Sequence, residues 1–200
     1  MSEAFNWLYS DTVKDHFTNP RNVFNPADNF KADAEGMTGN VKCGDQMLFM
    51  LQVRDDVIVD VRWKTYGCAS AIASTSILSE AVKGMKLLEA YNIKPEDIAA
   101  RLGGLPDNKI HCSVLGDKAL RAAIDAYLAK TGRAGLFRNE GATVICSCLN
   151  ITDRDIETAV KQGAHDWETL QERTKIGTVC GGCKDKAEAL LHEYVHIFAE

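Results

Sequence analysis

The chain has 200 residues, 46% of them hydrophobic and 26% charged, with a formal net charge of -5. That length suits one ordinary domain with a buried core, or a medium domain followed by a small one, and the composition excludes general disorder. The acidic balance argues against a nucleic-acid binder, whose phosphate contacts require a basic face.

The opening MSEAFNWLYSDTVKDHF has neither the basic start nor the apolar block of a secretory leader. No later run approaches the about 18 apolar residues of a membrane span. The expected compartment is the cytosol, with no membrane partner. From Asp45 to Lys64, DQMLFMLQVRDDVIVDVRWK reads as an antiparallel hairpin joined at Arg54-Asp55-Asp56. Met47, Phe49, Leu51 and Val53 share one face at period two, as do Val57, Val59, Val61 and Trp63 across the turn. After Gly67-Cys68 the spacing becomes helical, with Ile72, Ser76, Ser79 and Val82 on one face. Further helices are expected from Pro95 to Leu102, where proline suits the first turn, and from Val114 to Lys130. In the latter Leu115, Ala119, Ala122, Ala126 and Ala129 form one stripe, flanked by Leu120, Ile124 and Leu128. Strands followed by helices indicate an α+β domain, an antiparallel sheet packed by helices, over residues 1–131.

Residues 132–142 fall in a glycine-rich stretch without sustained periodicity and read as a linker. Residues 143–200 then form a small, mainly helical unit. It opens with the strand-like TVICSC, and Thr152 with Asp155 three residues on resembles a capping box. A unit of this size buries a thin core and commonly needs a metal or another staple.

The seven cysteines are the most informative residues, because a reducing compartment turns clustered thiols toward metal binding or catalysis. Cys146 with Cys148, and Cys180 with Cys183, are two close pairs in the second unit. Glycines between Cys180 and Cys183 let the backbone turn tightly. Four thiolates suit either zinc or an iron–sulfur cluster, although the single-residue gap of Cys146 and Cys148 departs from a zinc-ribbon knuckle. Cys43, Cys68 and Cys112 are far apart but share a setting at element ends: Cys43 just before a strand, Cys68 at a helix entry, and Cys112 where Ser113 could cap the next helix. A helix N-terminus or a nearby cation favours thiolate.

The motifs DHFTNPRNV, CGD at Cys43 to Asp45, GCAS at Cys68 to Ser70 and LPDNKIHCS at Leu105 to Ser113 resemble the NifU-type proteins of iron–sulfur cluster assembly, whose first domain is an IscU-type scaffold. The later cysteines, with ITDRDIETAV between them and TVCGGC at the end, resemble the bacterioferritin-associated-ferredoxin type of [2Fe–2S] domain. Together these cover nearly the whole chain. The resemblance implies a scaffold or carrier rather than an enzyme. Cys43, Cys68 and Cys112, completed by Asp45 or His111, would hold a transient [2Fe–2S] cluster, or iron or zinc, and a non-thiolate donor makes such a cluster easier to release. Cys146, Cys148, Cys180 and Cys183 would hold a permanent [2Fe–2S] cluster. Lys109 would favour thiolate at the scaffold site electrostatically.

A cysteine desulfurase as sulfur donor, apo iron–sulfur proteins as acceptors and a homodimer are the implied partners. Nitrogenase maturation and general housekeeping use the same scaffold chemistry. Two departures stand out: the third, C-terminal domain of complete NifU proteins is not expected, and LPDNK at Leu105 to Lys109 replaces the LPPVK motif that a dedicated Hsp70 chaperone reads. The alternatives are a zinc-dependent sulfurtransferase of the SufU type, which lacks the histidine at position 111 and carries an insertion before its third cysteine, and a [2Fe–2S] electron carrier, which leaves the three early motifs unexplained. The closing His192-Glu193-Tyr194-Val195-His196 matches the zincin pattern H-E-x-x-H. A catalytic zinc needs a third protein ligand, and Leu190, Leu191, Tyr194, Val195 and Phe198 form an apolar stripe at helical spacing, so the stretch reads as an amphipathic helix.

Overall fold

The computed structural model describes residues 9–40, 45–105, 111–137 and 140–198, with backbone alone at Asn40, Asp45 and His111 to Val114. The chain divides into two units, Met1–Phe137 and Arg138–Glu200.

The first unit is built on an antiparallel sheet in the order β1 (Ala34–Asn40), β2 (Asp45–Arg54), β3 (Val57–Tyr66). Asp55 and Asp56 both have positive φ, 51° and 59°, the backbone of the tight primed turn whose twist matches paired strands. Met47, Phe49, Leu51 and Val53 are buried on one face of β2, as the alternation requires. On β3 the buried residues are Ile58, Val61 and Trp63, while Val59 is exposed. The register shifts at this point, Gln52 pairing with Asp60 and Val53 with Ile58, so the inserted residue is Val59. A bulge moves every residue beyond it to the opposite face, and the expected inward set of Val57 and Val59 is corrected to Ile58.

Strand β1, AEGMTGN, offers little alternation, and its position depends on a close backbone approach. A Cβ placed on Gly36 would lie 2.1 Å from the Ala123 nitrogen and 2.4 Å from the Ala119 carbonyl oxygen. Those atoms belong to α5 (His111–Lys130), so glycine on the strand and alanines on the helix let the two backbones meet. Helix α5 starts three residues before the expected Val114, which places Ser113 inside it rather than at its cap. Its buried face runs through Leu115, Ala119, Leu120, Ala123, Ile124 and Leu128, whereas Ala129 is exposed. Fully burying each large aliphatic side chain of that set contributes roughly 1.5–3 kcal/mol.

Before the sheet comes α1 (Asp11–Thr18), capped by Ser10. After it come α2 (Ala69–Val82), α3 (Leu87–Tyr91) and α4 (Pro95–Arg101). Helix α2 is buried over much of its circumference and carries small hydroxyl residues in place of large apolar ones. Several are satisfied in pairs: Ser76 Oγ accepts the Arg21 N–H at 2.9 Å, Ser79 Oγ donates to the Ser76 carbonyl at 2.6 Å, and Thr75 Oγ1 donates to the Ala71 carbonyl at 2.7 Å. Such bonds let polar residues be buried without the cost of an unmet donor. Beyond α5, Arg133 donates to both carboxylate oxygens of Asp56 at 2.7 Å, and the Phe137 ring meets Tyr91 at 5.5 Å. The first unit therefore extends to Phe137, into the segment read as a linker.

In the second unit β4 (Val144–Cys146) pairs antiparallel with β5 (Ile151–Thr152). Thr152 caps α6 (Asp153–Lys161): Thr152 Oγ1 accepts the Asp155 N–H at 3.3 Å, and Asp155 Oδ2 accepts the Thr152 N–H at 2.9 Å. Helix α7 (Trp167–Thr174) is capped by Asp166, and α8 (Lys184–Phe198) buries Ala187, Leu191, Tyr194 and Ile197. Ile156 and Val160 of α6, Leu170 of α7 and Leu191 of α8 supply much of a small core. Among the described residues, no helix is long and apolar enough to cross a membrane.

Candidate metal centres

Three element ends meet at one end of the first unit's sheet. Gln46, next to the start of β2 at Asp45, pairs with Tyr66, the last residue of β3. Cys68 follows as the exposed N-cap of α2, where the N–H groups of a helix start favour negative charge. Gly116 of α5 lies against this same region, since a Cβ there would be 3.1 Å from Leu78 Cδ2 and 3.8 Å from Met47 Sδ. Farther along α5, Ala119 and Ala123 meet Gly36, whose partner across the sheet is Phe49. Passing from Phe49 back to Met47 thus corresponds to passing toward the N-terminus of α5, where His111 and Cys112 form the first turn. The start of β2, the entry to α2 and the start of α5 therefore face one end of the sheet. Cys43 and Lys109 lie outside the described residues, as do the side chains of Asp45, His111 and Cys112.

Two contacts that sequence reasoning misses support this end of the unit. The fully buried Ser70, in the first turn of α2, donates from Oγ to the Tyr9 hydroxyl at 2.9 Å. The Ser10 hydroxyl donates to the Leu102 carbonyl, just before the segment that leads to Cys112. Ser70 closes the GCAS motif, but nothing in the sequence pairs it with Tyr9, or Ser10 with Leu102.

The second unit gathers Cys146, Cys148, Cys180 and Cys183 into two pairs. Cys148 Sγ donates to Cys180 Sγ at 3.4 Å, and Cys146 and Cys183 influence each other electrostatically. Each pair joins one cysteine of C-x-C to one of C-x-x-C. Gly181, at φ 70°, gives the second motif a backbone conformation that other residues adopt only with strain.

Burial pushes the Cys146 thiol up, but the N–H groups of Gly177, Leu149 and Cys148, with the Cys183 thiol, outweigh it and leave Cys146 below the ordinary thiol range. Cys180 is also lowered, first by the Gly182 N–H and then by the Cys148 thiol. Their partners move the other way: donation to Cys180 and its charge raise Cys148, while burial and donation to Cys146 raise Cys183. Binding by four thiolates would release the protons that the thiols hold.

Among the described residues, no three histidine, cysteine or acidic side chains converge on one ion-sized point. A structural zinc draws four ligands into one tetrahedron, whereas a [2Fe–2S] cluster divides four thiolates between two irons. Four cysteine thiols from two close motifs supply the donor set that such a binuclear group takes. The backbone donors at Gly177, Leu149 and Gly182 are of the kind that tunes cluster potential through hydrogen bonds to sulfur. His192 and His196 are exposed on α8, outside its buried face.

Residues 8–134 match the model of the NifU-like N terminal domain, and residues 144–193 match that of the BFD-like [2Fe-2S] binding domain. The nitrogen fixation protein NifU of Nostoc sp. is 37% identical over 193 residues, covering 94% of this chain and 64% of that protein. The iron-sulfur cluster assembly scaffold protein IscU of Aquifex aeolicus is 51% identical over 152 residues, covering 75% of this chain and 92% of that protein. The Escherichia coli K12 scaffold protein IscU is 50% identical over 123 residues, covering 61% of this chain and 95% of that protein. The chain thus spans 64% of the length of that NifU relative. On the extent of these matches, the chain belongs to the NifU-like family, joining an IscU-like first domain to a BFD-like [2Fe–2S]-binding domain.

Proposed function

We propose that the chain is a scaffold on which iron–sulfur clusters are assembled as cargo and passed to apoproteins, with a resident [2Fe–2S] cluster in the second unit. Cys43, Cys68 and Cys112 would bind the cargo, with Asp45 or His111 completing the set and Lys109 favouring thiolate electrostatically. What supports this reading is that β2 begins beside the end of β3, that the exposed Cys68 follows that end, and that Gly116 of α5 lies against Met47 near the start of β2. An exposed thiol at a helix start is accessible to a sulfur donor and to an acceptor protein. A non-thiolate member of the set would hold the cargo less firmly than a fourth thiolate.

Cys146, Cys148, Cys180 and Cys183 would hold the resident cluster, which supplies one-electron chemistry when bound. A cysteine desulfurase would supply sulfur, apo iron–sulfur proteins would accept the product, and the chain would act as a homodimer in the cytosol. Anaerobic reconstitution with iron, cysteine and a desulfurase tests the scaffold role. Cys68→Ala is expected to lose at least tenfold in the rate of cluster transfer to an apo acceptor while keeping the visible spectrum of the resident cluster. Transfer at the parent rate would overturn the reading.

A further inference from the structure

Cys180 and Cys183 are close in sequence, as are Cys146 and Cys148. The structure turns these two cysteines to different partners. Cys180 meets Cys148 at 3.4 Å, and Cys183 interacts electrostatically with Cys146. The cross-motif pairs also differ in surroundings. Cys146 ends β4 and is 2% exposed, and Cys183 adjoins the start of α8 and is half-buried. Cys148 and Cys180 sit in connecting turns and are both exposed, beside Leu149 at 40% and Val179 at 65% exposure.

We propose that in the cluster-free chain Cys148 and Cys180 form a reversible disulfide, while Cys146 and Cys183 remain reduced. Closing the Cys148–Cys180 contact of 3.4 Å to a bond of about 2 Å requires only a small shift between two turn residues. An exposed disulfide such as oxidised glutathione can be the oxidant. A protein thiolate attacks it, one glutathione thiol leaves, and the second protein thiol displaces the other from the mixed disulfide. The protein loses two electrons and two protons in forming one S–S bond, and the glutathione disulfide is reduced to two thiols. The oxidised pair then has no thiolate to offer a metal, so loading requires a dithiol reductant first. The inference concerns the cluster-free site and stands whether the group it holds is an iron–sulfur cluster or zinc.

The test uses the full chain, stripped of metal by a chelator under reducing conditions and then exposed anaerobically to oxidised glutathione. Remaining thiols are alkylated, and the disulfide is mapped by fragmentation mass spectrometry. The expected product links Cys148 to Cys180 at least ten times more abundantly than any other pairing within residues 140–198. Cys183→Ser should retain the link and Cys148→Ser should lose it. Uptake of added zinc ions by the second unit should fall at least tenfold on oxidation and return with dithiothreitol. A Cys180–Cys183 or Cys146–Cys183 disulfide in the parent chain, or no disulfide among the four, would overturn the proposal.

Discussion

His16 shows how one side chain ties solution conditions to the stability of the first unit. It is 6% exposed, with Nδ1 at 2.8 Å from Ser76 Oγ and Nε2 at 3.8 Å from Glu80. Because Ser76 Oγ accepts the Arg21 N–H, its hydroxyl proton is available to Nδ1 of a neutral ring. Burial, with the Arg21 charge adding to it, holds the His16 pKa below the ordinary 6.5, against the pull of Glu80 and Asp15. The unfolded chain therefore binds this proton more readily. Stability from His16 is complete above about pH 6.5 and is lost as pH falls through the lower folded value. Urea unfolding from pH 7.5 down to 5 should show a steeper loss in the parent than in His16→Asn. Parallel curves would contradict this assignment. At the same scale, the cysteines are legible in the sequence because thiol spacing states a ligand set. The donors from Gly177, Leu149 and Gly182 are not, because a backbone N–H leaves no mark on residue type.

Among the elements, the hairpin of β2 and β3 is legible because its alternation and its Asp55-Asp56 turn agree. The bulge at Val59 is not, since valine on either face satisfies the same pattern. Strand β1 escapes the alternation rule altogether: its place is set by the meeting of Gly36 with Ala119 and Ala123 of α5, a tertiary fact. The early start of α5 is hidden for a related reason, as the apolar stripe begins only at Leu115, after its polar first turn. Gly36→Ala would drive a methyl into helix backbone atoms less than 3.0 Å away, which cannot move as a side chain can. Overpacking of this kind costs about 1–3 kcal/mol and occasionally more. The variant should show that loss in denaturant unfolding of the first unit. An unchanged midpoint would mean that α5 does not seat on β1 as described.

Across the whole molecule, two thiol sets of different build stand in one chain. One has its elements gathered at the end of a sheet, with an exposed cysteine at a helix entry. The other has four cysteines in one small unit, with Cys148 and Cys180 in contact and backbone N–H groups lowering Cys146 and Cys180. The first suits binding that must be reversed, the second binding that persists. Mössbauer spectroscopy of the chain enriched in iron-57, with iron, sulfide and zinc counted before and after chelation, tests this division most directly. The account predicts one [2Fe–2S] cluster per chain that survives the chelator, and a second iron population that appears only after reconstitution with a desulfurase and is removed by the chelator. Zinc filling the four-cysteine site, or two iron populations that resist chelation equally, would contradict it.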